Sequence, residues 1–466
     1  MALGAALLLP AQAFAHGLVG RSDLPIPEWL FGWAAAVVLA VSFVALAVLW
    51  PKPRLQEEGW RPFENPLARA IVSPPAQIGY GAIGVFLFLL VVVAGLAGTD
   101  VQTENLAPTF IYVFFWVGLV LVSALLGDVF RAFNPWRAIG RAVGYAAETI
   151  APNLPAPLTY PERLGHWPAV AGIAGFAFLE LVLGSGNDPQ ALALAAIIYS
   201  AVQFVAMALY GVEPWIARGE AFSVYFNLFS RISPLEAREG RLGRRRFLSG
   251  LPALPVLPGT VALVAVMIGS TTFDGLSEGS FFQSIFPTLQ DFFTGIGFSI
   301  SGAGEGAFFV GLVVCVAVVA GFYRLGVIGA RSVGGNLEVG DLARAFVHSL
   351  VPIAFAYVIA HYASLLINNG QGIVPLASDP LGNGSDYFGT AEKTIDYGYI
   401  SATAFWYIQV GVVVLGHVAA LVLAHDRALT LYDKPRIAVR SQYWLLMVMV
   451  GFTTLALWLL SQANTA

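Results

Sequence analysis

The sequence predicts an all-α, polytopic integral membrane protein, a bundle of about ten transmembrane helices with interfacial amphipathic helices. Three observations lead there. The 466 residues are 58% hydrophobic and only 11% charged, with a mean hydropathy of +0.74, whereas roughly a quarter of a soluble chain is charged. Apolar runs of about 20 residues, the length that crosses a bilayer, recur along the chain. The basic residues fall on alternate connections between those runs.

The first residues form a short apolar stretch closed by Ala13-Phe14-Ala15, the small-residue pattern of a signal-peptidase site. A cleavable signal peptide is therefore expected over 1–15, although no Lys or Arg precedes its apolar part, and a single transmembrane domain over 16–466. The expected spans lie near 28–50, 77–98, 108–127, 167–184, 191–212, 251–270, 306–327, 344–368, 403–424 and 443–462. With an exported N-terminus, the loops on the cytoplasmic side hold all of the 24 Lys and Arg except Arg21 and Lys393. That bias predicts an even number of spans in a bacterial cytoplasmic membrane, with both mature termini on the exported side. Residues 280–299 and 219–233, with phenylalanines at helical spacing, read as helices lying on the membrane surface. No internal repeat is visible.

An ionisable side chain in a span costs about 3 kcal/mol to insert, so each reads as a candidate site. These are Glu180, His348, His361 and His417, accompanied by Gln203 and Gln409. At about 1.5 Å per residue, His348 and His417 lie at similar depth near the cytoplasmic end. Glu180, His361 and Gln409 form a second layer near the exported end. Pro352, four residues after His348, cannot donate to the His348 carbonyl and is expected to kink the helix there.

Three chemistries compete for the histidines. Neutral imidazoles with a carboxylate suit Zn, Fe or Cu, and a hydrolytic metal would activate water. That reading makes His348, His361 and His417 the candidate catalytic residues, with His348, His417, His361 and Glu180 as candidate metal ligands. Paired histidines can also ligate haem, or hydrogen-bond helix to helix and relay protons. The single cysteine, Cys315, excludes a disulfide framework or a multi-cysteine metal cluster within one chain. His16, if exposed by signal cleavage, would offer copper an amine and an imidazole. Loop 369–402 reads as turns or as a cap over a cavity near His361. Asp128 with Arg131, and Arg218 with Glu220, read as local ion pairs. No nucleotide-binding or hydrolase-elbow motif is present.

The stretches AHGLVGRSDLPIPEWLFGW, LAPTFIYVFFWVGL with GDVFRAFNPWR, GEAFSVYFNLFSR, FVHSLVPIAFAYVIAHY and GHVAALVLAHDRAL span most of the chain. Together they resemble a family of polytopic bacterial membrane proteins labelled fenitrothion (organophosphate) hydrolase. The resemblance implies hydrolysis of a phosphotriester bond by metal-bound water. The expected function is thus a metal-dependent hydrolase of an apolar small-molecule substrate that partitions into the lipid bilayer. The alternative is a transporter or a copper- or haem-handling protein using the same histidines. No nucleic-acid partner is expected.

Overall fold

The computed structural model describes residues 28–151, 153–334 and 337–462. The expected signal peptide, His16 and Arg21 lie outside the described residues. The protein is an all-α polytopic bundle. Among the described residues, nine helices are long and apolar enough to cross a membrane. In chain order with one shorter apolar helix, they are α1 (Glu28–Leu49), α2 (Pro74–Ala97), α3 (Leu106–Leu126), α4 (Trp167–Leu181, the shorter one), α5 (Pro189–Tyr210), α6 (Thr260–Ser277), α7 (Ile300–Ser332), α8 (Val339–His361), α9 (Ala402–Leu431) and α10 (Pro435–Gln462). Side chains at the N-caps set many of the starts. Ser73, Asn105, Asp188, Ser299 and Ser401 each accept a backbone N–H from the first turn of α2, α3, α5, α7 and α9, groups that otherwise have no intrahelical partner.

Enclosure separates centre from periphery. The apolar window of α6 is 83% buried and that of α8 is 67% buried, against 22% for α1. The centre therefore lies where α6 and α8 pack on each other, with α4 and α7 against α6 and α9 against α8. α1 and α10 cover α9 from outside, and α2 pairs with α5. Close approach of α8 and α9 depends on Gly416, where a Cβ would stand 2.3 Å from the Ala356 Cβ and 2.8 Å from the Pro352 carbonyl oxygen.

Two central spans depart from regular geometry. Phe110–Gly118 of α3 is π-helical, a wide turn often found at functional sites. α8 tightens to a 3₁₀ turn at Val347–Leu350 and restarts with Pro352 in its first turn. The expected break at Pro352 is present, but the His348 carbonyl is not free, because the 3₁₀ turn lets it accept from the Val351 N–H.

The connections at one face carry the arginines. A small antiparallel sheet there joins β1 (Arg61–Pro62), β2 (Leu235–Arg238) and β3 (Arg241–Arg244) in the order β1-β3-β2. The β2–β3 turn places Glu239 and Gly240 at positive φ, as a tight hairpin turn requires. Asp426 of α9 ties the connection after α1 to this face. It accepts from Trp50 Nε1 at 2.8 Å, Gln56 Nε2 at 2.7 Å and the Arg54 and Leu55 amides. At the opposite face, Leu381 accepts from the Thr99 amide, and Pro380 from that of Leu106.

Several local expectations change. The helix Ala221–Ser230 does not lie on the membrane surface: nine of its residues are buried, and it packs against α3 and α4. Aromatic rings all round this helix fill the core instead of anchoring to lipid, with Tyr225 stacked on Trp116 at 4.6 Å. Glu220 caps it, accepting from the Phe222 and Ser223 amides and from Asn134 Nδ2, and makes no pair with Arg218. Arg131 pairs with Glu213 rather than Asp128, which takes Asn227 Nδ2 at 2.8 Å. The segment Ser280–Gly295 is a helix packed on α7, burying Phe282 and exposing Phe281, Ile285 and Phe292.

Candidate functional site

A buried polar cluster joins two of the central helices, α6 and α8, near the face opposite the arginines. Its key residue is Asp274, on the last turns of α6 and 1% exposed. His361 Nε2, from the end of α8, is 2.8 Å from Asp274 Oδ2, and the Tyr362 hydroxyl donates to the same oxygen at 2.6 Å. The imidazole and phenol rings meet edge to face at 4.6 Å. A carboxylate that takes two side-chain donors in a dry interior is held firmly, since its alternative is an unpaired charge in low dielectric. Gln409 of α9 donates to the Ala360 carbonyl at 2.9 Å and so anchors α8 beside the site.

Beside His361 is a cavity of about 20 Å³, lined by Thr271, Thr272, Gly275, Tyr357 and Val413 among others. It is large enough for about one water molecule. The two threonine hydroxyls donate back to Met267 and Ile268 of their own helix, leaving oxygen lone pairs free to accept. Glu180 of α4 lies within electrostatic reach of Asp274, Tyr112, Tyr225 and Tyr362. Of the expected layer, His361 and Glu180 lie around Asp274, whereas Gln409 meets the Ala360 carbonyl.

Further polar atoms lie on the helix Ala221–Ser230 and in the segment that follows Tyr362. The Tyr225 hydroxyl, Ser364 Oγ, both polar atoms of the Asn368 side chain and Asn369 Oδ1 are buried and find no hydrogen-bond partner within the protein. Buried polar atoms are paired in the great majority of cases, so such a row calls for a mobile partner such as water. Loop 369–401 closes over this end. Its carboxylates form turns: Asp379 accepts from the amides of Asn383 and Gly384, and Asp386 from those of Thr390 and Ala391.

The other histidines occupy different settings. His417 Nδ1 is 2.8 Å from the Val413 carbonyl oxygen of its own helix, its ring lies 6.4 Å from that of Tyr357, and its Nε2 is unpartnered. His348 sits by Leu423 and Arg427. Leu423 is about 9 Å farther along α9 than His417. The similar depth expected for this pair does not hold: the 3₁₀ turn and the Gly416–Pro352 approach set α8 against α9 with His348 closer to the arginine-rich face. His425 bridges Gln442 and the Trp50 carbonyl, and Gln203 accepts from Trp215 Nε1. His166, at the start of α4, lies 2.9 Å from the Thr260 hydroxyl. Burial, with Arg231 and Arg218 adding to it, lowers its pKa to about 4.

A transition metal would need several of these nitrogens and carboxylates at one point. Among the described residues no group of three or more His, Cys, Asp or Glu is so placed. The set His348, His417, His361 and Glu180 is thus not gathered, and His361 spends its Nε2 on Asp274.

The expected sixth span, 251–270, leaves Asp274 in a loop, whereas the helix runs over Thr260–Ser277. Pro252, Pro255 and Pro258 were the available signal: so many prolines delay the helix to Thr260 and carry Asp274 into the bundle. Tyr362 carried no signal of its own, since its role depends on what α6 places opposite it. No family model, no curated protein and no solved structure matches the chain.

Proposed function

We propose that this multi-pass protein moves protons across the bilayer, as a proton transporter whose exchanging group is the Asp274–His361–Tyr362 cluster. One observation carries the reading: a carboxylate and an imidazole from two different central helices share a hydrogen bond beside a water-sized cavity. Intramembrane Asp, Glu and His in such contact mark proton pathways, because the cost of burying them is otherwise unrewarded. In this scheme the proton resides on the Asp274–His361 pair, Tyr362 orients the carboxylate, and Glu180 is the next acceptor toward α4. The unpartnered Ser364 and Asn368, which follow Tyr362 in the chain, line an access path for water. The arginine-rich face is cytoplasmic by the positive-inside rule, which places the access path on the exported side of a bacterial cytoplasmic membrane.

The test is proton flux into liposomes containing purified protein and a trapped pH-sensitive dye, under a clamped membrane potential. Wild-type protein is expected to dissipate a pH step faster than protein-free liposomes, and Asp274→Asn to return the rate to that baseline. Wild-type flux no faster than the baseline, or unchanged in the variant, overturns the proposal. The organophosphate hydrolysis implied by the resemblance is the rival. It requires turnover of an aryl phosphotriester together with zinc, iron or copper in the purified protein, and both are measured on the same preparation.

A further inference from the structure

A second cavity, of about 360 Å³, opens at the arginine-rich face, far along α8 from Asp274. One wall is apolar, built from Leu251, Leu254 and Val256 in the proline-rich connection before α6. The other carries Arg344, Arg427 and His348, and among the described residues no carboxylate lines it. His348 is 2% exposed and its Nε2 is unpartnered; it lies near the carbonyls of Ala345 and Leu423. Arg427 is held in place by donating from Nη2 to the Pro252 carbonyl at 2.6 Å, while its buried Nε has no acceptor. Of the acids nearest these arginines, Asp426 is engaged by the residues after α1, whereas Asp341 pairs with Arg344 itself at the mouth.

We propose that this cavity binds a phosphoryl anion. The guanidinium of Arg427 presents planar N–H donors that match phosphoryl oxygens, His348 in its Nε2–H tautomer adds a neutral donor, and Arg344 at the mouth adds a second cation by exchanging its Asp341 partner for the anion. The apolar wall beside the charged one suits an amphiphile, whose phosphate would meet the arginines while its glycerol and first methylenes cover the leucines and the valine. Free phosphate offers the same oxygens without the apolar part. This inference is independent of the proton-handling cluster, since none of its residues touches Asp274 or His361.

Protein in a non-ionic detergent is titrated calorimetrically with inorganic phosphate, with dioctanoyl phosphatidylglycerol and with dioctanoyl phosphatidylcholine. Saturable binding is expected for the phosphatidylglycerol and not for the phosphatidylcholine; saturation by inorganic phosphate alone identifies a soluble phosphate as the ligand. Arg427→Gln and His348→Gln should weaken the binding by about tenfold or more, and Arg344→Gln by a smaller factor. Arg344 is half exposed and pairs only with Asp341 among the described residues, so its variant keeps the test valid if the buried substitutions prevent folding. Absence of saturable binding to either anion, equal binding of the zwitterionic lipid, or unchanged affinity in the variants that fold overturns the inference.

Discussion

The two ends of α8 hold the same residue type in opposite settings. At one end His361 faces a carboxylate, a phenol and room for a water molecule. At the other, His348 faces two arginines and an apolar wall, with an unpartnered ring nitrogen. Between their levels, His417 leans on a carbonyl of its own helix. An imidazole is a proton exchanger, an anion donor or a packing group according to the side chain that a neighbouring helix brings to it, and depth in the bilayer does not distinguish these roles.

The largest effect that would break this contrast is on flux. Asp274→Asn should lower proton movement by about a hundredfold, the scale of losing a positioned acid–base group, whereas His417→Gln should leave it within about twofold because His417 meets no carboxylate. A comparable loss in both variants would erase the distinction. Next in size is the packing that sets the register of α8 on α9. Gly416→Ala places a methyl group 2.3 Å from Ala356 Cβ, so the helices must separate, at a cost of about 1–3 kcal/mol; a thermal-melting or denaturant midpoint equal to wild type would show the contact to be looser. A smaller effect sharpens the picture of the cluster itself. Tyr362→Phe removes a side-chain donor to Asp274 and should slow flux by about tenfold without abolishing it, as expected for loss of a hydrogen bond worth about 1.5 kcal/mol to a charged acceptor. Unchanged flux would remove Tyr362 from the site.

The smallest effect concerns His166, outside the spans. The ring titrates near 6.5 when free and at about 4 in the folded protein. Between those values the unfolded chain binds more protons than the folded one. Stability is therefore full above pH 6.5 and falls as the pH drops toward 4, by about 1 kcal/mol per pH unit from this group. Comparing melting temperatures of wild type and His166→Gln across that window isolates the contribution, and the variant should show the shallower decline. Parallel curves would mean that the ring titrates normally.

How much of this was legible from the residues differs between topology and site. The succession of long apolar helices and the arginine-rich face follow from run length and charge placement, which are properties of the chain in one dimension. The candidates His361, Glu180 and Gln409 were legible for the same reason, as polar residues inside apolar runs. Asp274 was not, because a shift of a few residues in the start of α6 decides whether it is in a loop or in the core, and the apolar prolines before Thr260 mimic a span in composition. The burial of Ala221–Ser230 was hidden too. A helix rich in phenylalanine reads alike whether it meets lipid or protein, and only Glu220, buried and fully hydrogen-bonded, separates the two.

The most direct measurement is an infrared difference spectrum of the protein in lipid, recorded across a pH titration. If Asp274 and His361 exchange a proton, a carboxyl band should rise and fall with an imidazole band, and both changes should vanish in Asp274→Asn. A wild-type spectrum with no titrating carboxyl, or one that persists unchanged in that variant, would contradict the account.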